Sequence, residues 1–138
     1  MIKSIELFVG AGGLALGSAK AGFKHEIVID WDHNACETVR RNKRAAVRLV
    51  RDWEIVEGDV RQHDFRRHAG TAEFIFGGPP CQPFSLGGKH RGNEDARNMF
   101  PEAVRAVREI RPRAFVFENV KGLLRRGFSN YFHSLLSG

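Results

Sequence analysis

The sequence predicts an α/β fold built on a mostly parallel sheet, and three observations support this prediction. Short apolar segments of strand composition alternate with segments of helical periodicity along the chain. A glycine-rich turn joins the first strand to the first helix, as in nucleotide-binding βαβ units. Helical connections between parallel strands are nearly always right-handed. We therefore expect the first and fourth of five strands to lie side by side, so that the loops after them meet at one edge.

The composition fits one ordinary globular domain. The chain has 138 residues, 42% of them hydrophobic and 28% charged. A domain of this size buries roughly two-thirds of its surface on folding. Its two cysteines lie far apart and its six histidines are scattered, so we expect neither a disulfide framework nor a bound metal. No apolar run approaches the length of a membrane span, and the N-terminus does not read as a signal peptide. We expect an intracellular, reducing compartment.

The first strand, residues 5–9, leads into a glycine turn, residues 10–17 (GAGGLALG), that opens a helix. Glycines let the backbone approach a ligand closely, and a helix N-terminus favours an anion. The spacing of Gly10, Gly12 and Ala15 satisfies the dinucleotide-binding fingerprint. That fingerprint alone is a weak signal.

The second strand, residues 26–29, adds a carboxylate to this pattern. It ends at Asp30, and an acid about 20 residues after the glycine turn is what ribose binding requires. A helix N-cap is the competing interpretation, because residues 33–42 have a helical pattern. We assign Asp32 to the cap and Asp30 to the ribose. Cys36 lies inside this helix and is expected to be a small buried hydrophobe.

The third strand, residues 54–57, ends at Gly58 and Asp59. Placed at the carboxyl end of a strand, Asp59 could accept a hydrogen bond from a ligand amine. An ordinary turn residue would have the same position in the sequence. Both interpretations stay open.

The fourth strand, near residues 73–76, delivers the segment 77–85 (GGPPCQPFS). Its three prolines fix φ and remove backbone donors, which excludes a helix or a paired strand. The segment is expected to be a stiffened loop that holds the Cys81 thiol outside the sheet, where ligands bind in open α/β folds. A proline-rich turn with an incidental cysteine would have the same composition.

The remaining elements complete the sheet. A polar stretch, residues 86–98, is followed by a helix at about 99–110 and a fifth strand, residues 114–117. That strand ends at Glu118, and a last helix begins near Ser129, a good N-cap residue.

The net charge of +6 suits a polyanionic partner, although solvated helix faces would give the same charge. Because they lie near the cysteine loop, Arg91 and Arg97 are the better candidates for phosphate contacts. For the basic residues at positions 40–48 we favour the interpretation as solvated helix faces; these are Arg40, Arg41, Lys43, Arg44 and Arg48.

Several blocks together resemble the cytosine-5 DNA methyltransferase family. They are residues 7–13, 30–31, 58–60, 78–85, 88–98 and 118–120, which follow the family's order and cover nearly the whole chain. The resemblance implies a Rossmann-like S-adenosylmethionine-dependent methyltransferase fold and a cytosine in DNA as the substrate. It therefore also implies a cytoplasmic protein, which would be associated with the nucleoid in a prokaryote.

The family chemistry assigns the catalytic roles. The resemblance implies that the Cys81 thiolate adds to C6 of a cytosine flipped out of double-stranded DNA, so that C5 can attack the methyl of S-adenosylmethionine. It implies that Glu118 holds cytosine N3, that Asn119 orients the loop, and that Pro80 walls the base and the cofactor.

The resemblance also implies two sets of binding residues. The cofactor contacts are Phe8 and Trp31 at adenine, Gly10, Ala11, Gly12 and Gly13 near the methionine end, Asp30 at the ribose, Asp59 at the adenine amino group, and Val60 and Met99 as further contacts. The nucleic-acid contacts are Gln82, Ser85, Arg91 and Arg97. Two departures from the family are Glu6, where Asp is usual, and Asp30, where Glu is usual.

The family continues beyond the blocks found here, with further strands and a target-recognition domain. We therefore expect this chain to be the N-terminal half of an enzyme, with a sheet that is incomplete at the fifth strand. An exposed apolar edge there predicts self-association or pairing with a complementary C-terminal subunit.

Three competing functions are compatible with parts of the sequence. A nicotinamide dehydrogenase would use the glycine fingerprint but leaves the cysteine loop unexplained. A non-catalytic fragment could bind cofactor or nucleic acid without turnover. A tRNA cytosine-5 methyltransferase would share the chemistry and differ in its substrate.

Overall fold

The computed structural model describes residues 1–80, 98–124 and 129–138, and it is organised on a five-stranded parallel sheet of order β3-β2-β1-β4-β5. The strands are β1 (Ile2–Leu7), β2 (Phe23–Asp30), β3 (Glu54–Glu57), β4 (Phe74–Gly77) and β5 (Ala114–Phe117). The helices are α1 (Gly13–Lys20), α2 (His33–Arg44), α3 (Phe100–Ile110) and α4 (Ser129–Ser137). Short 3₁₀ turns cover Val60–Gln62, Phe65–His68 and Lys121–Leu124.

The predicted adjacency of the first and fourth strands is confirmed. β1 pairs in parallel with β4, and Leu7 stands opposite Gly77 at the carboxyl end of the pair. The predicted bounds of the third and fifth strands are also confirmed. The first strand was expected at residues 5–9 but ends at Leu7, because Phe8 has a φ of 57°, which no strand can accommodate.

Both faces of the sheet are covered near its centre. On one face, Ile5, Leu7 and Ile75 pack against Phe65 and the inner side of α3. On the other face, α1 and α2 cover a second apolar cluster that includes Val28. This double burial explains the apolar composition of the central strands.

The edge formed by β5 is open in the described part of the chain. Phe115 is 47% exposed and Val116 is 49% exposed, although both belong to a regular strand. The expected apolar edge is therefore confirmed. Among the described helices, none has both the length and the hydropathy that crossing a bilayer requires.

Candidate active site

A cavity of about 400 Å³ opens at the carboxyl edge of the sheet, where β1, β4 and β5 end. This is the edge at which open α/β sheets bind ligands. The first glycine turn and the start of the cysteine loop therefore meet, as the strand order requires. The lining residues are Glu6, Phe8, Val9, Leu14, Gly78, Pro79, Pro80, Glu118, Asn119 and Val120.

The turn after β1 depends on left-handed backbone conformations. Gly10 has a φ of 55° and Gly12 a φ of 95°, and Phe8 adopts 57° although it carries a side chain. Such strain in a residue other than glycine persists only where the surrounding structure enforces it, and it is often found at functional sites. Phe8 lines the cavity.

The carboxylate of Asp30 holds this turn in place. Its Oδ2 accepts a hydrogen bond of 2.8 Å from the Gly10 amide, and its Oδ1 accepts one of 2.9 Å from the Asp32 amide. Asp32 in turn accepts a hydrogen bond of 2.7 Å from Ala35 N–H, so its assignment as the N-cap of α2 is confirmed. Asp30 is 8% exposed, so this carboxylate is buried beside the turn.

The other candidate cofactor residues lie along the same edge. Trp31 is 77% exposed. The carboxylate of Asp59 accepts hydrogen bonds from the backbone and guanidinium of Arg61, and the side-chain hydrogen bond is the main reason that its pKa lies below the usual range. Val60 is buried in the core, and Met99 packs partly against that core.

Gly77, at the end of β4, packs closely against its neighbours. A Cβ on Gly77 would lie 3.1 Å from the Leu7 carbonyl oxygen and 3.5 Å from the Phe117 ring. On the other side of β4, the Glu118 amide donates to the Gly77 carbonyl at 2.8 Å. The Met99 amide donates to the Pro80 carbonyl at 3.1 Å, which fixes Pro80 at the start of α3.

Glu6 is a site residue that the sequence interpretation noted only as a departure from the family. It is 1% exposed, lines the cavity, and its Oε2 has no hydrogen-bond partner among the described residues. The pKa of Glu6 is raised to about 8, mainly by burial; a hydrogen bond from the Ala15 backbone opposes this rise and the nearby Glu118 adds to it. The sequence signal that could have identified Glu6 is that it is a single acidic residue inside the otherwise apolar segment 5–9.

His25 lies beside Glu6 but does not form a hydrogen bond with it. His25 Nε2 lies 3.8 Å from Glu6 Oε2, too far for a hydrogen bond. His25 instead interacts with Ser4 and Ser18 through contacts of 3.0 and 2.8 Å. Burial lowers the pKa of His25 and raises the pKa of Glu6, so it favours the neutral form of both groups.

Asn119 also presents an unpaired group. Its Oδ1 accepts a hydrogen bond of 2.7 Å from the Val120 amide. Its Nδ2 is buried and has no acceptor within the described ranges 1–80, 98–124 and 129–138. Buried amide groups are nearly always paired, so this nitrogen is expected to bind a group outside those ranges or a ligand.

Some of the predicted residues fall outside the described residues. These are Cys81, Gln82, Ser85, Arg91 and Arg97. The other cysteine, Cys36, is fully buried as predicted, and burial followed by the charge of Asp30 raises its pKa to about 11. Over the part of the chain that is described, no group of three or more His, Cys, Asp or Glu side chains could hold a metal.

Comparisons of the sequence with known proteins identify a family. The family model of the C-5 cytosine-specific DNA methylases matches residues 2–137. The Neisseria gonorrhoeae type II methyltransferase M.NgoMIV is 44% identical over 128 residues, which are 93% of this chain and 38% of that protein. The Escherichia coli type II methyltransferase M.Eco47II is 46% identical over 121 residues, which are 87% of this chain and 27% of that protein.

A solved structure has a similar fold. A crystal structure of an E. coli protein described as a prophage-encoded DNA modification methyltransferase is 32% identical, with a TM-score of 0.76. The match covers 100% of this chain and 38% of that one. The chain thus spans well under half the length of these three similar proteins.

Proposed function

This chain belongs to the C-5 cytosine-specific DNA methylase family, and from that premise we propose that it is the N-terminal catalytic part of a DNA (cytosine-5)-methyltransferase. The observation that carries the proposal is the cavity at the sheet edge. Phe8 of the cofactor block lines it together with Pro80 and Glu118 of the two catalytic blocks. One cavity therefore borders members of both predicted sets, which supports the proposal.

The cavity fits S-adenosylmethionine, which supplies an activated methyl group when bound. The ligand carries an ammonium, a carboxylate and an aromatic base, so its site needs polar groups as well as a ring contact. Glu6 Oε2 and Asn119 Nδ2 are buried without partners at this cavity, within the part of the chain that is described. The Phe8 ring and the exposed Trp31 ring are available for adenine.

The individual cofactor roles follow the family pattern. Asp30 keeps lone pairs for the ribose hydroxyls while it holds Gly10. Asp59 gives up its exposed ion pair with Arg61 and binds the adenine amino group instead. An exposed ion pair of this kind contributes little to stability in water. Backbone contacts come from Gly10, Ala11, Gly12, Gly13 and Val60, and an apolar contact from Met99.

The catalytic roles concern atoms of the chain and of the cytosine. The Cys81 thiolate forms a bond to C6, and the electrons of the C5–C6 double bond move to C5. The Glu118 carboxyl holds N3 and its proton, which makes C6 electrophilic. After C5 gains the methyl, loss of the C5 proton expels the thiolate. Pro80, which lines the cavity, directly precedes Cys81, and Asn119 directly follows Glu118.

Double-stranded DNA with a flipped cytosine is the proposed substrate. A base within the stack is inaccessible to chemistry at C6. The net charge of +6 favours a polyanion, and we assign Gln82, Ser85, Arg91 and Arg97 to contacts with it.

A complementary polypeptide completes the enzyme in this proposal. The apolar residues at and after the open edge are Phe115, Val116, Val120 and Leu124, which are 43–67% exposed. An unpaired apolar strand edge favours the addition of another strand. The C-terminal part of the enzyme fits this surface, whether it is the same chain continued or a separate subunit. Self-association would cover the same edge.

The family membership makes the nicotinamide dehydrogenase interpretation wrong. An RNA substrate and a fragment without turnover stay open, and covalent capture distinguishes both from a DNA methyltransferase.

In the capture experiment, the chain is incubated with S-adenosylmethionine and a pool of duplexes that carry 5-fluorocytosine, whose fluorine cannot leave as the C5 proton does. It is used alone and with the C-terminal part of M.NgoMIV as a separate polypeptide. An RNA containing 5-fluorocytosine is run in parallel. Cys81→Ala is compared with Cys36→Ala, which removes the buried thiol.

We expect a covalent DNA complex in the mixture, lost in Cys81→Ala and kept in Cys36→Ala. Capture of RNA alone would identify a tRNA methyltransferase. Capture by the chain alone would contradict the need for a partner. No capture under any condition would support a fragment without turnover.

A further inference from the structure

Arg105 of α3 connects that helix to the loop after β3. Its Nη2 donates a hydrogen bond of 2.7 Å to the Val60 carbonyl, and its Nη1 donates one of 3.1 Å to the His63 carbonyl. Its Cζ lies 4.7 Å from the centroid of the Phe65 ring, within cation–π range. One side chain therefore fixes the loop at three points.

Two acids of the same helix hold the guanidinium in this position. Arg105 Nε donates to Glu102 Oε2 at 2.7 Å, and Nη1 lies 3.1 Å from Glu109 Oε2. The Arg105 side chain is 29% exposed. A planar guanidinium can serve several acceptors at once in a fixed fork, whereas a lysine ammonium cannot reproduce that geometry.

The loop that Arg105 holds carries one of the candidate cofactor blocks. It borders a second cavity, of about 190 Å³, which is lined by Ile29, Val56, Gly58, Asp59, Gln62 and His63. The two carbonyls that accept from Arg105 flank Arg61 and Gln62 in the chain. Arg105 thus joins the segment that carries Asp59 to α3.

We propose that Arg105 is a positioning residue that sets cofactor affinity by holding the loop of residues 58–63, without contacting the cofactor. The inference rests on the proposed function, because it takes this loop as the adenine end of the S-adenosylmethionine site. It adds a residue that no motif of the chain marks.

The test compares Arg105→Lys with Arg108→Lys, which changes another arginine on the same helix. Arg105→Lys keeps a cation between Glu102 and Glu109 and removes the fork. Two measurements are made on the full 138-residue chain. The first is S-adenosylmethionine affinity by calorimetry, with and without the C-terminal part of M.NgoMIV. The second is hydrogen exchange of the Gln62 and His63 amides, which bond to carbonyls within the loop.

We expect Arg105→Lys to weaken cofactor affinity about tenfold or more, since it removes charge-assisted hydrogen bonds. The two loop amides exchange faster, while the amides of β1 and β4 keep wild-type protection. Arg108→Lys changes neither measurement. Combined with Asp59→Asn, Arg105→Lys costs less than the sum of the single losses, because both act through one loop. A residue that only supports the fold would give additive losses.

Unchanged affinity, additive losses, or general unfolding of Arg105→Lys would each overturn the proposal. A wild-type chain that binds no S-adenosylmethionine, alone or in the mixture, would refute the proposed function instead. In that case the hydrogen exchange of the Gln62 and His63 amides still decides whether Arg105 holds the loop.

Discussion

The Gly10 amide donates a hydrogen bond of 2.8 Å to Asp30 Oδ2, which joins the turn after β1 to the carboxyl end of β2. The other oxygen of Asp30 accepts from the Asp32 amide. A residue proposed to bind the ribose therefore also builds the turn that borders the cavity. Loss of this carboxylate affects both folding and binding.

We predict that Asp30→Ala lowers the free energy of unfolding by about 2–4 kcal/mol, since two backbone donors lose a charged acceptor. Asp32→Ala, which removes only the N-cap of α2, should cost about 1 kcal/mol. Urea unfolding measures both variants, and calorimetry with S-adenosylmethionine should show the larger loss of affinity in Asp30→Ala. Equal destabilisation by the two variants would contradict this account of the turn.

Glu6 should make stability depend on pH. Its pKa is about 8 in the folded chain, against an ordinary value of 4.5. Because the folded pKa is raised, the stability that the protonated carboxyl provides is fully present below about pH 4.5 and is lost as the pH rises to about 8. The loss is about 4–5 kcal/mol in total.

We predict that Glu6→Gln loses the fall in the urea midpoint between pH 5 and pH 8 that Glu6 causes in the wild type. What remains in the variant is the opposite effect of His25, whose pKa burial lowers, so its midpoint should rise with pH relative to the wild type. The control is Glu54→Gln, an exposed acid of β3, which should keep the wild-type slope. Parallel slopes for Glu6→Gln and the wild type would show that Glu6 is ionised throughout this range.

The sequence was sufficient to predict those elements whose pattern depends on neighbouring residues in the chain. Aromatic and β-branched residues between polar neighbours marked the bounds of β3 and β5, and the chain order of the elements placed β1 beside β4. The sequence was insufficient for features that depend on contacts between residues far apart in the chain. Nothing in the composition of residues 5–9 indicates that Phe8 leaves the strand with a positive φ. The Arg105 contact to Val60 spans 45 positions and depends on the packing of α3.

The open edge of β5 should drive association. Val116 is 49% exposed, whereas Val47, which is 39% exposed, lies beyond the end of α2. We predict that the wild-type chain forms dimers or larger species as its concentration rises, and that Val116→Lys shifts it towards monomer. Val47→Lys adds the same charge away from the edge and should leave association unchanged. Sedimentation velocity over a concentration series measures this, and a wild-type monomer at every concentration would refute the prediction.

Two glycines should respond in opposite ways to the same substitution. A Cβ on Gly77 would lie 3.1 Å from the Leu7 carbonyl oxygen and 3.3 Å from the Leu7 Cβ, both on the paired strand β1. The backbone of a central sheet cannot move to relieve these contacts, so Gly77→Ala should destabilise the chain by about 1–3 kcal/mol. Gly17, in α1, has no atom within 4 Å of the corresponding position apart from its own helix and chain neighbours, among the residues that the structure describes.

Gly17→Ala should therefore stabilise the chain by about 0.5–1 kcal/mol through helix propensity. The midpoint of thermal unfolding measures both variants. Gly77→Ala should also weaken S-adenosylmethionine binding, because Glu118 is attached to the Gly77 carbonyl at the cavity. Wild-type stability in Gly77→Ala would mean that β1, β4 and β5 are packed less closely at the site than these distances indicate.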